Sequence, residues 1–215
     1  MITNPQAKRI IFYGDSLVWG KVPGENKQLA PDTRFTGVLQ RALGDGYDII
    51  EAGLRARNLV GENPYFKDRD GLATFSPTIS SLMPADAIIL FLGSNDTNNK
   101  PGFDAVKIAK SLELYQQQIN ECTAFLACPT PTLGVIVPPL IHEDRFDDAM
   151  QKIFAGAGAK IKPMRHALEQ KASELGIPTF DAGVVRPSSA DGIHLDAENN
   201  VVLAKALEPF IRSIV

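Results

Sequence analysis

Cysteine, histidine and tryptophan are scarce: among 215 residues there are two cysteines, three histidines and one tryptophan. Two cysteines, Cys122 and Cys128, supply neither a disulfide framework nor a thiolate zinc site, so both are expected to be buried free thiols. Three histidines without spaced cysteine partners do not point to a metal, and neither a metal nor a cofactor is expected. Long apolar runs are missing too. No stretch approaches the roughly 18 residues of a membrane span. No basic segment leading into an apolar core marks a signal peptide, so the expected location is the cytoplasm, with no membrane partner. The net charge of −3 gives no electrostatic reason to expect nucleic acid. Internal repeats, low-complexity tracts and linkers are also absent, which leaves one domain over residues 1–215 as the simplest organisation.

What is present is an alternation of short apolar runs and amphipathic stretches. Ile10-Ile11-Phe12-Tyr13 and Ala87-Ile88-Ile89-Leu90-Phe91-Leu92 read as strands buried on both faces. Asp48–Ala52, Leu133–Val137 and Pro178–Phe180 read as three more. Between them, helical spacing recurs from Asp32 to Leu43, around Thr74–Leu82, over Asp104–Leu126 as one long helix, over Lys160–Leu175 and from Asp196 to Ile214. Trp19–Pro31 reads as a loop at the mouth of the site, Arg55–Asp70 as a long functional loop or a lid, and residues 142–159 as an insertion over the site or a short helix. Strands alternating with helices predict an α/β fold, a three-layer α/β/α sandwich around a parallel sheet of about five strands.

In such a sheet the carboxyl ends of the strands line one edge, where residues distant in sequence converge. The strand ends here carry Gly14-Asp15-Ser16, Gly53 and Gly93-Ser94-Asn95-Asp96, and a loop near the C-terminus carries Asp191 and His194. Acyl transfer needs a nucleophile, a base, a group that orients the base and donors for an oxyanion. Ser16 offers the hydroxyl, His194 the base and Asp191 the orienting carboxylate. The backbone N–H groups of Ser16 and Gly53 and the side-chain amide of Asn95 offer the donors. Trp19 either packs its loop or walls the acyl pocket. Arg55 and Arg57 either bind an anionic substrate group or form loop salt bridges. His142, after a Pro-Pro strand stop, is a candidate for substrate contact, whereas the helical spacing around His166 places it on the surface or in packing.

These four blocks, in this order, resemble those of the SGNH (GDSL-type) hydrolases, a flavodoxin-like fold, over almost the whole chain. The resemblance implies Ser16 as nucleophile, Asp191 and His194 as its triad partners, and Ser16, Gly53 and Asn95 as the oxyanion hole. Asp15 is then not the triad acid but belongs to the turn. With Leu17, Trp19, Leu54 and Ile193 it makes up the positions expected near substrate. Gly14-Asp15-Ser16-Leu17-Val18-Trp19-Gly20, Gly53-Leu54-Arg55-Ala56-Arg57 and Asn95-Asp96-Thr97 are more similar still to the mycobacterial arylesterase and acyltransferase type. That likeness implies hydrolysis of small aryl or short-chain esters through an acyl-enzyme on Ser16, acyl transfer to alcohols, and a homo-oligomer. The alternatives are carbohydrate deacetylation, thioesterase or lysophospholipase action, and a noncatalytic small-molecule binding module.

Overall fold

The computed structural model describes residues 4–215. Five parallel strands, β1 (Lys8–Gly14), β2 (Tyr47–Gly53), β3 (Ala87–Phe91), β4 (Thr132–Val137) and β5 (Thr179–Asp181), form one sheet in the order β2-β1-β3-β4-β5. Because successive side chains point to opposite faces, β1 feeds two cores at once. Ile10 and Phe12 join Phe35, Leu39, Leu203, Leu207 and Ile211 on the side covered by α2 (Phe35–Leu43) and α8 (Ala197–Ile214). Ile11 and Tyr13 join Phe75, Ile79, Tyr115, Ile119, Met164 and Leu168 on the side covered by α3 (Gly71–Ser80), α5 (Leu112–Leu126) and α7 (Ala157–Glu174). The three layers expected from the alternating pattern are therefore present.

Two departures from the periodicity have local causes. The expected helix over Asp104–Leu126 is divided into α4 (Ala105–Ala109) and α5. At the junction the Ser111 hydroxyl donates to the carbonyl of Ile108 at 2.7 Å, and the Ser111 and Leu114 N–H groups reach back three residues rather than four. A local side-chain bond here competes with the helical ladder and tightens the turn. Residues 142–159 hold a short helix, α6 (Asp148–Phe154), capped by the Asp147 carboxylate on the Met150 N–H. Phe154 of α6 packs with Ile141, Ala157, Ile161 and Ile193 in a small third core above the sheet edge.

The long Arg55–Asp70 segment is irregular, as expected, yet firmly held. Tyr13 and Tyr115, packed edge-on around Phe75, donate their hydroxyls to the carbonyls of Gly71 and Leu59, both at 2.7 Å. The buried Asp96 carboxylate accepts the Leu59 N–H at 2.7 Å. Neither cysteine is bridged; Cys122 is buried, but Cys128, beyond the end of α5, is only partly so, contrary to expectation. Among the described residues, no helix is long and apolar enough to cross a membrane.

Candidate active site

Gly14 ends β1 level with Gly53 of β2 and Phe91 of β3, so the three chain segments that follow rise from one sheet edge. Asp15 caps a single helical turn, α1 (Ser16–Trp19), by accepting the Leu17 N–H at 2.8 Å. Gly14 has no space for a side chain. A Cβ there would lie 2.3 Å from Val18 Cγ2, so only glycine lets α1 fold back over the strand end. Ser16, at the start of the turn, keeps its own N–H without an acceptor among the described residues.

His194 arrives from the opposite side, on the loop before α8. Asp191 organises that loop: its Oδ1 accepts the N–H groups of Ile193 at 3.1 Å and His194 at 2.9 Å. Its Oδ2 accepts the Gly24 N–H at 2.8 Å and lies 2.8 Å from His194 Nδ1. An ionised carboxylate only accepts, so the proton sits on Nδ1 and leaves Nε2 free. Nε2 is 2.9 Å from Ser16 Oγ. The structure thus brings Ser16, His194 and Asp191 into one buried hydrogen-bonded chain. Burial opposes the charge on Asp191, but the bonds from His194 and the loop outweigh it and hold the carboxyl well below the usual carboxylate range. Burial lowers the His194 imidazole below its ordinary 6.5; Asp191 pulls the other way, and the cations of Lys21 and Arg55 add to the lowering. The base is neutral near neutral pH.

Asn95 follows β3 in a short helical turn and points its side-chain amide to the same place. Its Nδ2 donates to Asp15 Oδ2 at 2.9 Å, so one amide proton is held and the other is available. Asp15 therefore both caps α1 and orients Asn95. Burial pushes its carboxyl up to about 7, against the pull of the Leu17 and Asn95 bonds.

These groups open into a cavity of about 430 Å³ lined by Ser16, Leu17, Asn95, Ile193 and His194 together with Ala56, Met150 and Phe154, and by polar residues that include Lys21, Arg55 and Arg69. Of the positions expected near substrate, Asp15, Leu17 and Ile193 line it; Trp19 and Leu54 do not. Trp19 lies under the Arg55 guanidinium, 5.2 Å from ring centroid to carbon, and Leu54 donates its N–H to the Gly14 carbonyl. Gly53, expected as an oxyanion donor, is also not among the residues that line the cavity. Its place beneath α1 is steric: a Cβ would stand 2.3 Å from the Trp19 nitrogen. Gly53→Ala should consequently displace α1, lowering stability by about 1–3 kcal/mol and ester turnover with it, measurable by chemical denaturation and initial rates. Ala56, three residues on, is placed differently. It lines the cavity, its φ is +64°, and its N–H meets no acceptor among the described residues. A left-handed alanine is strained by roughly 1–2 kcal/mol, and nothing in its residue type announces it.

Arg57 is buried rather than in a loop salt bridge. It lies 4.0 Å from the Tyr13 ring and donates to the carbonyls of Gly14 at 2.9 Å and Ala52 at 2.6 Å, bracing the ends of β1 and β2. His142 does not reach the cavity; its backbone pairs with Gly192, and His166 is exposed on α7.

A sequence profile of the GDSL-like lipase/acylhydrolase family matches residues 10–207. A search of curated protein sequences returns no match. Among solved structures, the native M. smegmatis aryl esterase is 33% identical, with a TM-score of 0.90 over 97% of this chain and 100% of that one. The inhibitor-bound form of the same esterase is 32% identical with a TM-score of 0.91, over the same shares. A carbohydrate acetylesterase from Sinorhizobium meliloti is 29% identical with a TM-score of 0.89, again over 97% and 100%. Extent of match, fold and site agree: the chain belongs to the GDSL-like lipase/acylhydrolase family and is a carboxylic ester hydrolase.

Proposed function

We propose that this enzyme cleaves small carboxylic esters through an acyl-enzyme on Ser16. The observation that carries the reading is the continuous Ser16–His194–Asp191 chain at the mouth of a cavity of about 430 Å³. His194 Nε2 takes the Ser16 proton as Oγ attacks the ester carbonyl, and Asp191 stabilises the resulting imidazolium. The N–H groups of Ser16 and Ala56 and the free amide proton of Asn95 receive the developing oxyanion. Collapse expels the alcohol, which takes the proton from His194, and water or a second alcohol then releases the acyl group by the same steps in reverse.

The cavity volume lies at the small end of the range for ligand pockets, which favours short acyl chains. Phe66, Met150, Ile153, Phe154 and Ile193 form an apolar wall suited to an acyl or aryl group. Carbohydrate deacetylation is the second reading, prompted by the Sinorhizobium meliloti relative. Against it, Phe66 and Phe154 are the aromatic residues lining the cavity, a small platform for a sugar ring.

The test is initial-rate hydrolysis of p-nitrophenyl acetate, butyrate and octanoate across pH. The expected result is turnover that declines from the short to the long ester. With His194 neutral as the base, kcat/KM rises with pH through its pKa, so the acid limb should have its midpoint below 6.5. A midpoint well above 6.5, or preference for octanoate, contradicts the reading.

A further inference from the structure

The apolar wall is only part of the cavity. The lining also contains the polar residues Lys21, Arg55, Arg69, Asn26 and Asn63. Lys21 is already engaged, 3.7 Å from the Asp191 carboxylate. The two arginines are not. Arg55 lies over Trp19 and donates to the Asn26 side-chain oxygen. Arg69 donates to the carbonyls of Arg55, Lys67 and Asp68 at 2.8, 2.8 and 3.1 Å. Among the described residues, neither guanidinium meets a carboxylate within 4.0 Å. The carboxylate that lines the cavity, Asp15, is committed to Leu17 and Asn95.

Two half-buried guanidinium groups that line one cavity are bonded to neutral acceptors, although the Glu62 carboxylate accepts the Arg69 backbone N–H at 3.2 Å. Their forked donors match the planar oxygens of a carboxylate, or those of a phosphate, in a way that neutral carbonyls do not. We propose that Arg55 and Arg69 make the enzyme selective for esters that carry an anionic group, carboxylate or phosphate, on the portion lying against the Arg55–Arg69 wall. The proposal rests on the ester-hydrolase reading of the same site and names its substrate class. Arg55 and Arg69 then act as specificity residues: their contact is with a remote part of the substrate, and the bond chemistry remains with Ser16 and His194.

The anion can belong to the alcohol or to the acyl portion, and two matched pairs of esters separate these cases. For the alcohol side the pair is 4-acetoxybenzoate and 4-acetoxybenzamide; for the acyl side it is monomethyl adipate and methyl hexanoate, followed by pH-stat. The expected result for wild-type enzyme at low ionic strength is a kcat/KM for the anionic member about tenfold or more above its neutral partner in at least one pair, the strength of a charge-assisted bond. The ratio should fall in about 0.5 M salt. It should collapse toward one in R55Q and R69Q and be partly retained in R55K.

If the guanidinium groups serve only the developing oxyanion, both members of each pair respond alike and the ratio stays near one. Wild-type enzyme that turns over the neutral esters at least as well as the anionic ones in both pairs overturns the selectivity and leaves ester hydrolysis standing. A ratio that survives both glutamine substitutions overturns the assignment to these arginines. Failure of the wild type on every ester overturns the hydrolase reading itself.

Discussion

Ser16→Ala should lower kcat for p-nitrophenyl acetate by on the order of 10⁴–10⁶-fold while leaving the fold intact. The size of the loss follows from what the hydroxyl does. Without Oγ there is no acyl-enzyme, and what remains is direct attack by water on a carbonyl still polarised by the three N–H donors. The fold should survive because, among the described residues, Ser16 Oγ bonds only to His194 Nε2, whereas α1 is held by the Asp15 cap and by the N–H of Gly20 on the Ser16 carbonyl, which alanine retains. Thermal unfolding of the variant should match wild type within a few degrees. His194→Ala should be similarly severe, and the double variant little worse than either single one, because the two residues perform one proton transfer together. A double variant whose losses multiplied would mean that Ser16 and His194 act in separate steps.

The second large effect is expected at Asp15, which acts through Asn95. Among the described residues its carboxylate is the one acceptor holding the Asn95 amide, so Asp15→Asn sets one amide against another and releases Asn95 from its orientation. The expected outcome is a fall in kcat of about 10²–10³-fold with KM little changed, comparable to deletion of an oxyanion donor and similar to Asn95→Ala. Combining D15N with N95A should add little to either. A merely structural Asp15 would instead give activity losses that track the unfolded fraction.

Stability should move the other way. The folded carboxyl is raised from 3.8 to about 7, so between these values the folded state holds a proton that the unfolded state has released. Unfolding free energy therefore falls as pH rises through that window, by at most about 4 kcal/mol for this group. Asp96, also pushed up to about 7 by burial, contributes with the same sign. Asp191, held low, works oppositely: its contribution is present above the ordinary carboxylate range and lost only in strong acid. D15N isolates the first term. Its stability relative to wild type should improve steadily from pH 4 to pH 7 in urea titrations. A constant difference across that range would mean that Asp15 is ionised throughout, with Asn95 and Leu17 outweighing burial.

The strands and the convergence of Ser16, Asp191 and His194 were readable in the residues because their signals are local. β1 and β3 are uninterrupted apolar runs, each stopped by glycine and small polar residues. Ser16, Asp191 and His194 sit at sheet-edge positions that the α/β topology must bring together. The errors fall where a tertiary contact decides. Gly53 has the backbone of α1 lying against it and does not line the cavity. Ala56 lines the cavity with an N–H unpaired among the described residues, in a left-handed conformation that alanine seldom adopts, which is why the donor role is proposed for it. The Asp104–Leu126 stripe is continuous in hydrophobicity, yet one serine hydroxyl bonded to Ile108 divides the helix. Arg55 and Arg57 are two residues apart and equally basic; only folding sends one to the cavity and the other beneath the sheet end. The apolar wall from Met150, Ile153 and Phe154 was similarly invisible, because α6 gains its meaning from packing over the His194 loop.

Covalent trapping tests the central claim most directly. The enzyme is incubated with a fluorophosphonate ester, activity is followed to completion, and the digested protein is mapped by mass spectrometry. One adduct per chain on the peptide containing Ser16, accumulating in proportion to lost activity and absent in His194→Ala, is the predicted result. Complete inactivation with the adduct on another residue, or complete labelling of Ser16 with ester turnover intact, would contradict the account.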